Sequence, residues 1–367
     1  MRVILVDIID PKLHIKEAHK RLVELEKLVN TYGSCVIVKC IQKKQVPNYK
    51  TFIGKGRLEE IMQTAIAEKV DTIILNNILK SGQVFSLQWK FQEHDIQVWD
   101  RTDLILKIFE KHATTSEAKL QIELAAIRHM GPRIYGMGME LSKQGGGGVG
   151  MRGKGETNTE IMKRHLSKQE QSVKKKLAEV MKRQELQMNA RKRKGFFSVA
   201  IVGYTNAGKS HLLHSLTRKN IYVENELFAT LDTRIGKLYL PGRRSTCLIS
   251  DTIGFIQDLP PKLIQAFAST LNEAVHADVL LHVIDYSDKD KDMKIQVVLD
   301  ILEQLGATNM PQVFVCNKID KIEKLYTKTF AKKFKKYSPV FISALNKDGF
   351  DTLLSKIESI LPENWYD

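Results

Sequence analysis

The stretch at residues 198–213, SVAIVGYTNAGKSHLL, constrains the fold more than any other part of the chain. Residues 199–202 are a short apolar run of strand type, and residues 203–210 then read G-x-x-x-x-G-K-S. That spacing joins a buried strand to a helix through Gly203, Tyr204, Thr205, Asn206, Ala207 and Gly208. The N–H groups of such a loop cradle phosphate oxygens, while Lys209 reaches the outer phosphates and Ser210 is placed to hold Mg²⁺. A Gly-rich strand-to-helix turn can also be purely structural, so the loop takes its meaning from residues further along the chain. Apolar runs at 197–202, 236–240, 246–251, 278–284, 312–316 and 339–342 alternate with helical stretches. They predict an α/β domain over 196–367 with a doubly wound, mostly parallel six-stranded sheet.

Four later stretches fall at strand ends or in the loops beyond them, where an open α/β sheet binds its ligands. Asp251-Thr252-Ile253-Gly254 follows the apolar 247–249 run. Asp251 would hold Mg²⁺ through a water, and the Gly254 N–H would sense a γ-phosphate. Asn317-Lys318-Ile319-Asp320 follows the 313–316 run. A carboxylate at Asp320 accepts from guanine N1–H and the 2-amino group, which adenine lacks, so the base is read as guanine. Asn317 can bond the base and brace the loop, and the stem of Lys318 can lie over the ring. Ser343-Ala344-Leu345 follows the 340–342 run and offers the Ala344 N–H to guanine O6. Phe228-Ala229-Thr230-Leu231-Asp232 lies where a switch loop belongs, and the Thr230 hydroxyl is the natural second protein ligand of Mg²⁺. Many such enzymes orient water with Gln after the glycine of the Asp251 motif, but here that residue is Phe255. Phe255 cannot orient water, so the catalytic push must come from a backbone group, another side chain or the partner; Lys209, Thr230 and Gly254 are the residues assigned to the chemistry. Asn206 is a candidate α-phosphate contact together with a K⁺ ion, or else a loop brace.

The first part of the chain reads differently. Apolar runs at 3–6, 36–41, 72–75 and 96–99, separated by helical patterns at 15–29 and 58–67, predict a small α/β domain over 1–112 with a largely parallel sheet. Gly54-Lys55-Gly56 lacks the rest of a phosphate-loop pattern and reads as a turn and helix cap. Residues 113–195 become polar and helical. Leu120, Leu124 and Ile127 mark a helix that Gly131-Pro132 should end, and Leu166, Val173, Leu177 and Val180 mark a second helix over about 159–190. Together they predict a long antiparallel hairpin. Its tip, 142–155, combines seven glycines with Lys143, Arg152 and Lys154. A flexible linker is the plain reading, but glycines with interspersed cations suit close backbone approach to RNA phosphate. The 57 Lys and Arg exceed the 42 Asp and Glu by 15, and residues 160–194 alone hold 12 basic and 4 acidic residues. Charge clustered in this way suits either a solvated helix face or a polyanionic partner. Cys35, Cys40, Cys247 and Cys316 form no C-x-x-C pair and read as core thiols of a reducing compartment. No apolar run approaches membrane-spanning length, so a cytoplasmic protein is expected.

These motifs together resemble the HflX family of translational GTPases over essentially the whole chain. The carrying residues are Phe52-Ile53-Gly54-Lys55-Gly56, Asp100-Arg101-Thr102-Asp103-Leu104-Ile105-Leu106, Lys119-Leu120-Gln121-Ile122-Glu123-Leu124-Ala125, and the tip with Gly153-Lys154-Gly155-Glu156-Thr157. The loop at 203–210, the 228–232 stretch and the 251–255 stretch complete them. A monomer is expected, and the resemblance implies a GTPase whose N-terminal domain and hairpin bind the large ribosomal subunit and its rRNA, the tip reaching toward the peptidyl-transferase region. It implies that the GTP-bound protein splits or rescues stalled ribosomes, that the ribosome stimulates hydrolysis, and that a hydrophobic residue replaces the usual Gln. Three departures stand out. His211 occupies a position where the family usually has a hydroxyl residue, Thr233-Arg234-Ile235-Gly236 replaces a Pro-Thr-Thr-Arg run, and the extra C-terminal domain of many members is not expected. Two alternatives remain: a GTPase for ribosome assembly or RNA modification, and a nucleotide-gated ribosome-binding protein with negligible turnover.

Overall fold

A computed structural model describes residues 1–144, 158–217, 228, 234–260, 263–264, 272–323 and 327–360. The chain divides into two compact units, Met1–Lys111 with Leu120–Lys176, and His112–Lys119 with Leu177–Asp367.

The first unit is built on four parallel strands, β1 (Arg2–Ile9), β2 (Cys35–Lys43), β3 (Thr72–Leu75) and β4 (Gln97–Asp100), in the order β2-β1-β3-β4. Helices α1 (Ile15–Tyr32), α2 (Lys55–Ala67) and α3 (Ser81–Phe91) make the crossovers that parallel pairing demands. Gly54 is the N-cap of α2 and donates its N–H to Gln42 Oε1 at 2.9 Å, in keeping with the turn-and-cap reading. Edge strand β2 is only half-buried, and its first residue, Cys35, is exposed, while Cys40 is partly covered. The expectation of four core thiols is therefore corrected to two, Cys247 and Cys316. An edge strand covers less of its outward side chains than a central one.

Helices α4 (Arg101–His112) and α5 (Ser116–Gln144) follow β4. Asp100 and Asp103 form a reciprocal cap at the start of α4, each accepting from the other's backbone N–H, at 2.8 and 3.0 Å. Arg133 binds both carboxylates, donating to Asp103 at 2.7 Å, and His129 lies 3.0 Å from Asp103. This buried cluster explains why α5 continues through Gly131-Pro132, which local propensity alone would make its end. A helix-interior proline costs about 3 kcal/mol, and breaking a buried ion pair costs a similar amount or more, so the turn carrying Arg133 is held in place. Burial favours a neutral Asp103, but His129 and Arg133 prevail and hold its carboxyl at about 2; burial likewise lowers His129, but its bonds to Asp100 and Asp103 raise it overall. A depressed carboxylate stabilises fully above its unfolded pKa and loses that contribution as pH falls through its folded value. Thermal melts of the full chain should therefore lose about 2 kcal/mol through Asp103 between about pH 4 and pH 2. Asp103→Asn, less stable throughout, should lack this component. The raised His129 acts in the opposite sense, contributing below its unfolded pKa and ceasing to do so as pH rises through its folded value.

The second unit carries a six-stranded sheet in the order β10-β9-β8-β5-β7-β6. Its strands are β5 (Ser198–Gly203), β6 (Arg234–Leu240), β7 (Ser245–Asp251), β8 (Val279–Asp285), β9 (Gln312–Asn317) and β10 (Val340–Phe341). All neighbours pair parallel except β6 and β7. Alternation along β5 sends Val199 and Ile201 to a core with Leu213, Val315 and Leu353, and Ala200 and Val202 to a second core with Leu280, Val298 and Leu302. Helix α6 (Asn158–Arg193) runs through both units, and helix α7 (Lys209–Thr217) leaves the carboxyl end of β5. Arg128 on α5 meets Glu170 on α6 at 3.1 Å within the first unit, and Glu117 accepts from Gln184 within the second, the order expected of an antiparallel hairpin. No helix among the described residues is long and apolar enough to cross a membrane.

Candidate nucleotide-binding site

Central strand β5 has β7 on one side and β8 on the other, so the chain departs from it in opposite directions and opens a crevice at the carboxyl ends. The phosphate loop and the motifs at 251–254, 317–320 and 343–345 converge there. Gly203 ends β5 with φ +152, and a Cβ on it would lie 2.3 Å from the Val283 carbonyl oxygen. Gly208 has φ +96, and its Cβ would lie 2.3 Å from Asn317 Nδ2, so glycine is required at both ends of the loop. Lys209 opens α7, whose first-turn amides have no partners within the helix and suit an anion. The loop is tied to the Asp251 motif through backbone: Thr205 N–H donates to Phe255 O at 2.7 Å and Phe255 N–H to Gly203 O at 3.1 Å.

Lys209 is buried, and its Nζ donates to Tyr204 O at 3.0 Å. Burial lowers its pKa to about 8, although Asp251 works in the other direction. Gly254 stands beside it, where a Cβ would lie 2.8 Å from Nζ. Ser210 donates its hydroxyl to Asp251 Oδ2 at 2.7 Å. A hydroxyl and a carboxylate at the mouth of an anion-binding loop are hard oxygen donors of the kind Mg²⁺ prefers, so these residues fit the ion. Thr252 is fixed by a 2.8 Å bond from its hydroxyl to Ile201 O, and Ile253 is buried. Phe255 is buried in the core with Tyr204 and Ile264, which removes its side chain from any contact with water in the crevice.

On the opposite side Asn317 joins the phosphate loop to the 343–345 stretch. Its Nδ2 donates to Ala207 O and its Oδ1 accepts from Ala344 N–H, both at 2.9 Å. Both polar ends of the amide thus brace the site, and the Ala344 N–H, expected from sequence to serve a base oxygen, donates to Asn317. Ser343 Oγ donates to Asp320 Oδ1 at 2.6 Å and orients that carboxylate; Ile319 packs half-buried beside it, and Leu345 is exposed. Lys318, at φ +66, sends Nζ to Asn206 O at 2.7 Å and to Asp285 Oδ2 at 2.8 Å. Asn206 is itself left-handed at φ +61 with an exposed side chain. Asp285 was not singled out from sequence, although a carboxylate closing the apolar run of β8 was the signal. His211 follows Ser210 on α7 and is half-buried. Phe228 is buried, whereas Ala229, Thr230, Leu231 and Asp232 lie outside the described residues, as do Arg152, Lys154 and the side chain of Lys143.

Three family models match the chain in succession. They are the GTP-binding GTPase N-terminal region over residues 19–110, the GTP-binding GTPase Middle Region over 112–191, and the 50S ribosome-binding GTPase over 198–318. The GTPase HflX of Caldanaerobacter subterraneus subsp. tengcongensis is 43% identical over 97% of this chain and 80% of its own length. The GTPase HflX of Flavobacterium psychrophilum is 36% identical over 99% of this chain and 91% of its own. Among solved structures, the crystal structure of the SsGBP and GDP complex covers 98% of both chains with a TM-score of 0.54 and 26% identity.

Proposed function

The chain belongs to the HflX family of GTPases, and from that premise we propose that its GTP-bound form docks on the large ribosomal subunit, splits or rescues stalled ribosomes, and is triggered there to hydrolyse GTP. The family assignment makes it a P-loop GTPase of the ribosome-binding class with GTP and GDP as ligands. The observation that carries the rest is Asn317, whose single amide ties Ala207 of the phosphate loop to Ala344 and so sets the phosphate and base elements in one frame. In the proposed reaction water attacks the γ-phosphorus, the β–γ bridging oxygen leaves with GDP, and inorganic phosphate is released. Lys209 and the amides of the loop stabilise the charge on the transferring group, and Gly254 N–H follows the γ-phosphate. Ser210, Thr230 and Asp251 through a water are the residues that would hold Mg²⁺, which would supply further charge neutralisation to the transferring phosphoryl group. Asn206 is assigned to the α-phosphate with K⁺ beside it. Asp320 and Ala344 select guanine. The basic hairpin, with Lys143, Arg152 and Lys154 at its tip, is assigned to rRNA of the large subunit, and the protein is taken as a cytoplasmic monomer.

Buried Phe255 leaves the water-positioning group to come from elsewhere, and the ribosome is the proposed source. Phosphate release measured with purified 70S particles or large subunits should therefore exceed the intrinsic rate at least about tenfold, with K⁺ stimulating relative to Na⁺. Release that stays at the intrinsic rate while the protein still cosediments in the GTP-analogue state would overturn the enzyme reading in favour of nucleotide-gated binding, the second reading that Phe255 favours. Binding confined to precursor particles would favour assembly.

A further inference from the structure

We propose that Asp285 is a positioning residue of the nucleotide site: its carboxylate holds the Lys318 ammonium against the Asn206 carbonyl, clamping the base-binding loop to the phosphate loop and thereby slowing nucleotide release. This rests on the guanine nucleotide reading of the site. Asp285 is the last residue of β8 and lies in register with Asn317, the last residue of β9, so two neighbouring strands end side by side at the mouth of the crevice. The carboxylate is oriented before it meets Lys318. Its Oδ1 accepts from Ser287 N–H at 3.1 Å and from the Ser287 hydroxyl at 2.5 Å, which leaves Oδ2 turned to Lys318 Nζ at 2.8 Å. Tyr286 N–H donates to Asn317 O at 2.9 Å and fixes the same corner to β9.

The ammonium is shared between two acceptors on different elements, Oδ2 of Asp285 and the Asn206 carbonyl at 2.7 Å. Without the carboxylate, a lysine with four rotatable bonds would be drawn to water or to phosphate oxygens, and each such excursion would release the Asn206 carbonyl. Asn206 sits at φ +61, a left-handed turn that asparagine adopts more readily than other side chains, and the bond from Lys318 fixes its carbonyl in that turn. The pair is also well placed to count energetically. Its side chains are only 18% and 22% exposed, and the geometry is imposed from both sides. An exposed ion pair loses entropy in ordering its side chains, whereas here Ser287 has already ordered one of them.

Asp285→Asn is the discriminating variant, because the amide is isosteric and its oxygen can still accept from Ser287, while the charge facing Lys318 is lost. Stopped-flow release of fluorescent GDP and of a fluorescent non-hydrolysable GTP analogue should both be about tenfold faster, because the clamp acts beside the base and the loop rather than at the γ-phosphate. The readout that a merely structural role would not move is the coupling to Lys318. In the Lys318→Met background, adding Asp285→Asn should change release less than about twofold. Release within about twofold of wild type for Asp285→Asn alone, or additive effects of the two substitutions, would overturn the clamp. Failure of the wild-type protein to retain guanine nucleotide would instead sink the reading on which the clamp rests.

Discussion

Replacing Lys209 with Ala is expected to reduce ribosome-stimulated GTP hydrolysis by about 10³-fold in kcat/KM, the loss typical of removing a buried group aimed at developing charge. The site explains the size of the effect. Lys209 is buried at the first position of α7, with its Nζ on Tyr204 O at 3.0 Å and Gly254 close by, so nothing else in the loop can move a cation into its place. The same crowding argues that Lys209→Arg will not rescue, since a guanidinium is larger and planar where a single added carbon on Gly254 would already lie 2.8 Å from Nζ. Burial holds the ligand-free ammonium at about 8, so above that pH binding of phosphates must first take up a proton. Apparent GTP affinity of the wild-type protein should accordingly weaken as pH rises from about 8 to about 9, and the Lys209→Ala protein, already weak, should show no such slope. Hydrolysis by Lys209→Ala within about tenfold of wild type would remove this residue from the chemistry.

What could be read from the sequence was whatever depends on short-range pattern. The run at 72–75 is a strand over those same residues, and the alternation after Phe196 predicted every strand of the second sheet to within two residues. Fully buried parallel strands are nearly continuous apolar runs, and little else in a soluble chain looks like them. The phosphate loop, the Asp251 motif and the Asn317 to Asp320 stretch could be read for a different reason: each is a local segment whose function requires a fixed spacing. What depended on distant partners was not legible. Gly131-Pro132 looked like a helix end because the carboxylates that hold Arg133 lie some thirty residues earlier, at Asp100 and Asp103. Asp285 looked like an ordinary strand end, because its meaning comes from Lys318 and Asn206, two loops that only the fold brings together. In the sequence Asn317 reads as both bonding the base and bracing the loop; its bonds to Ala207 and Ala344 show the brace.

Asp320→Asn should invert the preference of the site rather than merely weaken it. Guanine presents two donors on the edge that Asp320 is proposed to read, N1–H and the 2-amino group, and an ionised carboxylate answers both with acceptors. Xanthine keeps N1–H but carries an oxygen at position 2, so it needs one acceptor and one donor, which is what a side-chain amide offers. Ser343 decides which way that amide faces. Its hydroxyl donates to Oδ1 at 2.6 Å, and an Asn that keeps this bond places its NH₂ where Oδ2 stood, the position proposed to meet the position-2 substituent. GTP would then meet donor against donor where it had a charge-assisted bond, a loss of about 3 kcal/mol, or roughly 100-fold or more in affinity. Xanthosine triphosphate should overtake GTP both in binding and in ribosome-stimulated turnover, because the phosphate loop and its lysine are untouched by the change. A variant that lost affinity for both nucleotides equally would make Asp320 a brace of the 343–345 stretch, and one that still preferred GTP would refute its assignment to the base. Only an exchange of preference is explained by hydrogen bonding at that one edge of the ring.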